Sequence, residues 1–303
     1  MNYRLTLLPS QLQELKKLYR QEVIDKDFPH VNFAVQVLDC RITAYDSGAV
    51  VFQGQDAETI YRSTASFFDL PIEIKTTETP LFLFEDQDSA GSDEVGTGDY
   101  FGPIVVCACF LPKTKINKVK ELKVADSKTI NDEIIRKIGP KLYTLLPNSI
   151  LILDNSRLNE VNQTKNLNAI KALMHNQAYI NLKKKIKVLP KLTIIDQFAP
   201  KDKYFGYLKD EKEVISDLRF MTKAESQCLA VACASIIARY TFLNEMDKLR
   251  EKYSFDFPLG AGNQVDTAIN RFLDRYPEQL PQVAKLKFKN TLKSQNLFAE
   301  EID

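Results

Sequence analysis

The sequence predicts a two-domain α/β protein, with a small α+β unit followed by a larger mixed α/β layer domain. Three observations carry that reading. The length of 303 residues exceeds what one hydrophobic core usually spans. In the second part of the chain, apolar strand-like runs alternate with helical stretches. Between the two parts, Pro71 to Ala90 is polar, carries Pro80 and holds no sustained period, as a linker would. The expected domains are residues 1–85, including the linker, and residues 86–303.

The first segment opens with Ser10-Gln11-Leu12-Gln13, a capping-box pattern, and Leu12, Leu15 and Tyr19 follow at helical spacing. Short strands are expected over Phe33 to Leu38, Arg41 to Tyr45 and Ala49 to Phe52, the last two joined by the turn-forming Asp46-Ser47-Gly48. A second helix runs from about Ala57 to Phe68 with Asp56 as its cap, which gives an α-β-β-β-α unit. One strand is expected inside the linker, around Leu81 to Phe84.

Beyond the linker, strands are expected at Ile104 to Leu111, Ile150 to Leu153 and Leu192 to Ile195, and helices at Asn131 to Leu146 and Leu167 to Leu182. The longest helix should cover Ala224 to Tyr253, where Leu229, Cys233, Ile236, Tyr240 and Leu243 recur at three and four residues. Its apolar face must lie on the sheet.

Composition narrows the chemistry. The five cysteines, Cys40, Cys107, Cys109, Cys228 and Cys233, include no Cys-x-x-Cys pair and read as buried free thiols. The two histidines, His30 and His175, leave little room for a histidine metal cage or a Ser-His-Asp triad. Carboxylates must therefore carry the chemistry. A net charge of +1 gives no global mark of nucleic-acid binding, so any such face is local. No apolar run approaches the ~20 residues of a membrane helix, and Met1 to Ser10 lacks the order of a secretory signal, so a cytoplasmic location and no membrane partner are expected.

The most informative stretch is Gly91-Ser92-Asp93-Glu94-Val95-Gly96-Thr97-Gly98-Asp99-Tyr100-Phe101-Gly102-Pro103, directly before the apolar Ile104-Val105-Val106. Neighbouring side chains of a regular strand point to opposite faces, so Asp93 and Glu94 share a metal site only at a strand end or an irregularity. The surrounding glycines permit one. Asp196 ends the continuous apolar run Leu192 to Ile195, which suits a strand buried on both faces, and an acid there is costly unless paired or metal-bound. Glu225 lies at the start of the expected long helix, where the dipole favours negative charge. Four carboxylates can then converge, the type of oxygen cage that two hard metal ions need to hydrolyse a phosphodiester.

Each feature alone has a plainer reading. Asp-Glu pairs are usually solvated turns, Asp196 is a strand-end acid, Glu225 an ordinary helix-start acid and Lys128 a solvated lysine. The basic run Lys183-Lys184-Lys185 with Lys187 and Lys191 fits a helix end before Pro190 as well as a nucleic-acid patch, and Lys285, Lys287, Lys289 and Lys293 are similarly open. Gly96-x-Gly98 with Gly102 is followed by Pro103 and a strand, not the helix of a dinucleotide loop. Gly91-x₄-Gly96 lacks the Lys-Ser/Thr of a P-loop, and Asp46-Ser47-Gly48 is a single copy of an aspartic-protease-like triplet in a hairpin turn.

Taken together, the motifs resemble one family. Gly91 to Gly98 with Gly102-Pro103 is similar to the first motif of the type 2 ribonucleases H. Ala125-Asp126-Ser127-Lys128 is similar to their Asp-Ser-Lys loop, and Lys223-Ala224-Glu225-Ser226 with Ala234-Ser235-Ile236-Ile237-Ala238-Arg239 to their later helix. Within that family the chain resembles the ribonuclease HIII branch. It has Gly96-Thr97-Gly98 where ribonuclease HII has Gly-Arg-Gly, Glu225 where ribonuclease HII has Asp, and an extra N-terminal segment.

The resemblance implies a ribonuclease H-like mixed sheet flanked by helices, with a small N-terminal α+β domain like the TATA-binding protein. It implies an endoribonuclease that uses Mg²⁺ or Mn²⁺ to cut the RNA strand of an RNA–DNA hybrid, leaving 3′-hydroxyl and 5′-phosphate ends. Asp93, Glu94, Asp196 and Glu225 are the implied catalytic set. The first three are the implied metal ligands, Asp93 bridging, and direct ligation by Glu225 is left open. Gly96, Thr97 and Gly98 would approach a ribose 2′-hydroxyl, Lys128 beside Ser127 would contact a phosphate, and the N-terminal domain would grip the hybrid. Lys16, Lys17 and Arg20 on its first helix, or Gln36, Arg41 and Thr43 on its sheet, are candidates for that grip. Competing expectations are a hybrid-binding protein that does not cut, and ribonuclease HII-like incision at single ribonucleotides in DNA. Monomer is the default oligomeric state.

Overall fold

The computed structural model describes residues 2–20, 30–71, 82–84, 86–124 and 130–292. The chain folds as two compact units, residues 1–78 and residues 79–303.

The first unit contains β1 (Asn2–Thr6), α1 (Pro9–Leu18), β2 (Val31–Val37), β3 (Cys40–Tyr45), β4 (Ala49–Gly54) and α2 (Ala57–Phe67). Its four strands form an antiparallel sheet in the order β1-β4-β3-β2. Phe33, Val35, Ile42, Ala44, Val50 and Phe52 alternate along the strands and bury one face with Leu12 and Leu15 of α1 and Ile60 and Tyr61 of α2. Gln36 pairs in register with Arg41, and Arg41 with Gln53, among the residues of the other parity.

Three features of this unit differ from the sequence expectation. β1 is an additional strand, defined by its antiparallel pairing with β4 from Asn2–Gln53 to Thr6–Ala49. Helix α1 starts at Pro9, with Leu8 as its cap, and Gln11 Oε1 accepts from the Leu8 amide at 2.9 Å. The anticipated Ser10 cap therefore lies inside the helix, where proline at the first position already sets φ. Asp56 does precede α2, but its carboxylate accepts from the Asp39 amide at 2.9 Å and ties the β2–β3 turn instead of capping the helix.

The second unit contains β5 (Ser89–Val95), β6 (Ile104–Leu111), α3 (Ile116–Glu121), α4 (Asp132–Leu145), β7 (Asn148–Leu153), α5 (Asn155–Val161), α6 (Leu167–Ile186), β8 (Leu192–Asp196), α7 (Lys201–Tyr207), β9 (Arg219–Met221), α8 (Leu229–Tyr253), α9 (Asn263–Leu273) and α10 (Leu280–Val283). The sheet runs β7-β6-β5-β8-β9, antiparallel across β7, β6 and β5 and parallel from β5 through β8 to β9. Of the strand expected at Leu81 to Phe84, Leu81 lies outside the described residues, and Leu83 makes a single bridge to Cys228.

Strand β6 shows how the layers form. Val105, Cys107 and Cys109 pack into a core with α8, while Ile104, Val106 and Ala108 pack with α6. A strand covered on both faces reads as a continuous apolar run. Helix α8 is buried from Leu229 to Ala238 on all sides, with Ser235 as the one hydroxyl among apolar side chains, a wider apolar surface than one stripe. Its approach to the sheet is close: a Cβ on Gly91 would lie 2.4 Å from the Val231 amide nitrogen and 2.6 Å from the Ala230 carbonyl carbon. Glycine in the central strand and alanines on the helix face are thus one packing solution. All five cysteines are buried and free, as composition indicated.

Candidate active site

The site is built at the C-terminal end of β5. The strand pairs with β6 without interruption from Ser89–Leu111 to Val95–Val105, so no irregularity lies at Asp93-Glu94, and of the two conditions read from sequence only nearness to the strand end is met. The two acids therefore face opposite ways. Asp93 lies opposite Cys107, on the α8 side, and Glu94 opposite Val106, on the α6 side.

On the α8 side, Asp93 meets Asp196. Parallel pairing of β5 with β8 ends at Ser92–Ile195, and the two aspartates are the next residues of their strands. Ser235 of α8 hydrogen-bonds the Asp93 side chain, and Asp93 Oδ1 accepts from the Glu94 amide at 2.8 Å. Asp196 Oδ1 accepts from the Ala224 amide at 2.8 Å. Burial, followed by the charges of Glu94 and, less strongly, Asp196, holds the Asp93 carboxyl well above the usual carboxylate range.

Glu225 is buried beside Ala224 in a 3₁₀ turn, Ala224–Ser226. It is not on the long helix, which begins four residues later at Leu229. The dipole of that helix therefore does not account for this acid: the turn, not the helix end, directs it. The left-handed backbone of Lys223 (φ 53°) opens that turn, and the extended backbone of Cys228 (φ -126°, ψ 118°) separates it from the long helix, where the sequence reads as one continuous helix.

On the α6 side, Glu94 is engaged at both oxygens. Lys171 Nζ donates to Oε1 at 2.8 Å, and His175 Nε2 lies 2.9 Å from Oε2. Burial alone would raise this carboxyl; the contacts with His175 and Lys171 outweigh it and hold Glu94 below the usual range. Sequence reasoning assigns neither Lys171 nor His175 to the site. Their lysine-histidine spacing of four on an expected helix was the available signal, but nothing in the sequence says which acid that face meets.

The loop after β5 is fixed at its ends and open in its middle. Gly96 has φ 92°, and a Cβ there would lie 2.2 Å from the Pro103 carbonyl oxygen, whereas a Cβ on Gly98 would meet nothing within 4 Å. The C-terminal segment braces this loop. Asp99 Oδ1 accepts from the Gly260 amide at 2.7 Å, the Gly102 amide donates to Val283 O at 2.9 Å, and Lys285 Nζ donates to Asp99 O at 2.7 Å and also to Gly102 O. Lys285, whose sequence context fits solvent and substrate equally, is buried at 3% exposure, and burial pushes its ammonium down to about 7. Thr97 is half-buried between the two glycines. Ser127 and Lys128 lie outside the described residues. Of the other basic run, Lys185 Nζ donates to Asn148 O at 2.7 Å and Lys183 reaches Glu213 at 3.4 Å, as a helix end would.

The donor chemistry fits a hard divalent cation. Asp93 and Asp196 offer carboxylate oxygens from neighbouring strand ends, and the burial and acid repulsion that raise Asp93 are of the kind a bound cation offsets. In this arrangement, among the described residues, no three acid, histidine or cysteine side chains stand close enough to surround a metal ion. Glu94 is turned to Lys171 and His175 instead.

Comparison with known proteins agrees in both sequence and structure. The family model described as Ribonuclease HII matches residues 90–291, and one described as Domain of unknown function (DUF3378) matches residues 4–75. A Ribonuclease HIII of Exiguobacterium sibiricum is 40% identical over 292 residues, covering 92% of this chain and 94% of that protein. A Ribonuclease HIII of a Geobacillus species is 38% identical over 301 residues, covering 97% of each. Among solved structures, Bst-RNase HIII in complex with Mn²⁺ is 37% identical, with a TM-score of 0.68 and coverage of 98% of this chain and 99% of that one.

Proposed function

The chain belongs to the ribonuclease HIII family, and from that premise we propose that it hydrolyses the RNA strand of RNA–DNA hybrids, using two divalent metal ions and leaving 3′-hydroxyl and 5′-phosphate ends. The observation that carries the reading is the buried Asp93 beside Asp196 and Glu94, its carboxyl pushed upward by burial and then by the charges of Glu94 and Asp196. A protein gains nothing in stability from crowding acids in this way. The arrangement is understandable as a site for cations.

Bound Mg²⁺ or Mn²⁺ would activate the attacking water and stabilise the leaving oxygen. Asp93, Glu94 and Asp196 are the residues assigned to hold the metals, and Glu225 completes the catalytic set. Ser235 and the Ala224 amide orient Asp93 and Asp196. Gly96, Thr97 and Gly98 present backbone to the ribose, where the bare Gly98 admits close approach to a 2′-hydroxyl. Ser127 and Lys128 are assigned to the substrate backbone. Residues 1–85 are assigned to hybrid binding, and residues 86–303 to catalysis. Among the described residues no helix is long and apolar enough to cross a membrane; a cytoplasmic, monomeric enzyme is part of the same proposal.

The competing reading, a hybrid-binding protein that does not cut, draws on one observation: both Glu94 oxygens are already engaged. End-labelled RNA–DNA hybrid incubated with Mg²⁺ or Mn²⁺ separates the two. RNA cleavage with 3′-hydroxyl ends is expected, and stable binding without cleavage would favour the competitor. A duplex carrying one ribonucleotide, run alongside, tests ribonuclease HII-like incision.

A further inference from the structure

Glu94 is held by two side chains from one turn of α6. Lys171 and His175 are four residues apart and therefore share a face of the helix. Lys171 Nζ takes Oε1 at 2.8 Å, and His175 Nε2 meets Oε2 at 2.9 Å. Behind them the arrangement is closed. Ser92 Oγ lies 2.8 Å from His175 Nδ1, the Phe198 ring stacks on the imidazole at 5.3 Å, and the Lys171 ammonium sits 4.1 Å from the centre of the same ring. The Lys171 side chain is 10% exposed and that of His175 not at all.

A purely structural account would have this ion pair fasten α6 to β5. Buried ion pairs are poor fasteners, because desolvating two charges offsets most of their attraction, and apolar residues of similar volume serve as well. The acid so engaged is also not an arbitrary one. It adjoins Asp93, and its charge is among the causes that raise the Asp93 carboxyl. A lysine therefore supplies positive charge to an oxygen that a divalent cation would seek.

We propose that Lys171 and His175 are positioning residues for Glu94, and that Lys171 is a resident counter-cation with which a divalent metal ion competes for the carboxylate. The inference rests on the metal-dependent reading above. His175, itself placed by Ser92 and Phe198, holds one oxygen of the carboxylate, and the other, now with Lys171, is the one a metal ion would take. Metal affinity is then governed in part by a side chain that is not a ligand.

Mn²⁺ titration of the full chain, with free ion read by electron paramagnetic resonance, tests this without reference to turnover. K171M is expected to bind Mn²⁺ severalfold more tightly, because it removes a positive charge that both occupies the carboxylate and repels the ion. K171R, which retains the cation, should restore wild-type affinity. H175F, which keeps a ring against Phe198 but loses the contact to Oε2, should weaken binding; unchanged affinity would remove His175 from the positioning role. Circular dichroism checks folding, and K171Q replaces K171M should the methionine variant fail to fold. Equal or weaker Mn²⁺ binding by a folded neutral variant overturns the competition. D93N separates the metal site from the role of Lys171: if wild type binds no Mn²⁺, or D93N binds it equally well, the metal site itself falls. If D93N loses binding while K171M matches wild type, only the role of Lys171 falls.

Discussion

Replacing Asp93 by asparagine removes a charge while keeping the shape of the side chain, and the surroundings of this residue fix four consequences. Asparagine supplies no anionic oxygen, so cleavage should fall by about 10³-fold or more, equivalent to roughly 4 kcal/mol of transition-state stabilisation. Hybrid binding should remain measurable, because the loop at Gly96 to Gly98 and the first unit are untouched. Metal-free stability should rise. The folded-state carboxyl is held above its unfolded value by burial, Glu94 and Asp196, so wild-type stability is lost as pH climbs from near the unfolded value through the raised one. D93N lacks that slope and should gain on the order of 2 kcal/mol at pH 8, or about 4–8 °C in melting temperature for a unit of this size. Finally, metal at a hundredfold its dissociation constant stabilises a folded protein by about 2.7 kcal/mol, and D93N should lose that increment. Scanning calorimetry in chelator and in Mn²⁺, a labelled-hybrid cleavage assay and an anisotropy titration with hybrid together read all four. Turnover within tenfold of wild type, or an undiminished metal-induced melting shift, would refute the assignment of Asp93.

Packing and titration set the outcomes of other perturbations. G91A should lose about 1–3 kcal/mol or more of stability, since its Cβ has only the α8 backbone to meet, while G98A should fold normally and instead blunt the preference for ribose over deoxyribose. Chemical denaturation of each, with cleavage of RNA-containing and all-DNA duplexes, distinguishes these outcomes. For Lys285 the folded-state value, about 7, lies below the ordinary lysine value of 10.5, so the unfolded chain binds the extra proton between them and wild-type stability rises with pH across that window. K285M, which cannot titrate, should show a stability deficit that widens from pH 7 toward pH 10, within a bound of about 5 kcal/mol, and a constant gap would falsify the buried-amine account. Deleting residues 1–80 should chiefly raise the dissociation constant for hybrid in an anisotropy titration, and unchanged affinity would deny that segment its grip.

Much of this was legible in the residue order. Asp93-Glu94 among glycines, the Asp-terminated apolar run at Asp196 and the acid at Glu225 are local patterns. The apolar run of β6 and the caps at Asn131 and Asn166 are local too, the latter accepting from Ile134 and Ala169 amides. Strand period alone says that adjacent acids face opposite ways. It does not say which helix covers which face.

That decision belongs to contacts between residues far apart in the chain. Lys171 and His175 meet Glu94 across separations of 77 and 81 residues, and Lys285 reaches Gly102 across 183. Such pairings depend on sheet order and on helix placement above and below it, which no short window encodes. The same holds for β1, defined by its partner β4, and for Glu225, whose turn is set by the left-handed Lys223 and packing at Ala224. The sequence by itself determined which acids were available for chemistry and that the chain would form layered α/β structure. Tertiary structure alone decided that Asp93 stands beside Asp196 and under Ser235 while Glu94 is given to α6, because a buried carboxylate takes its partners from whatever the packed layers bring within hydrogen-bonding distance.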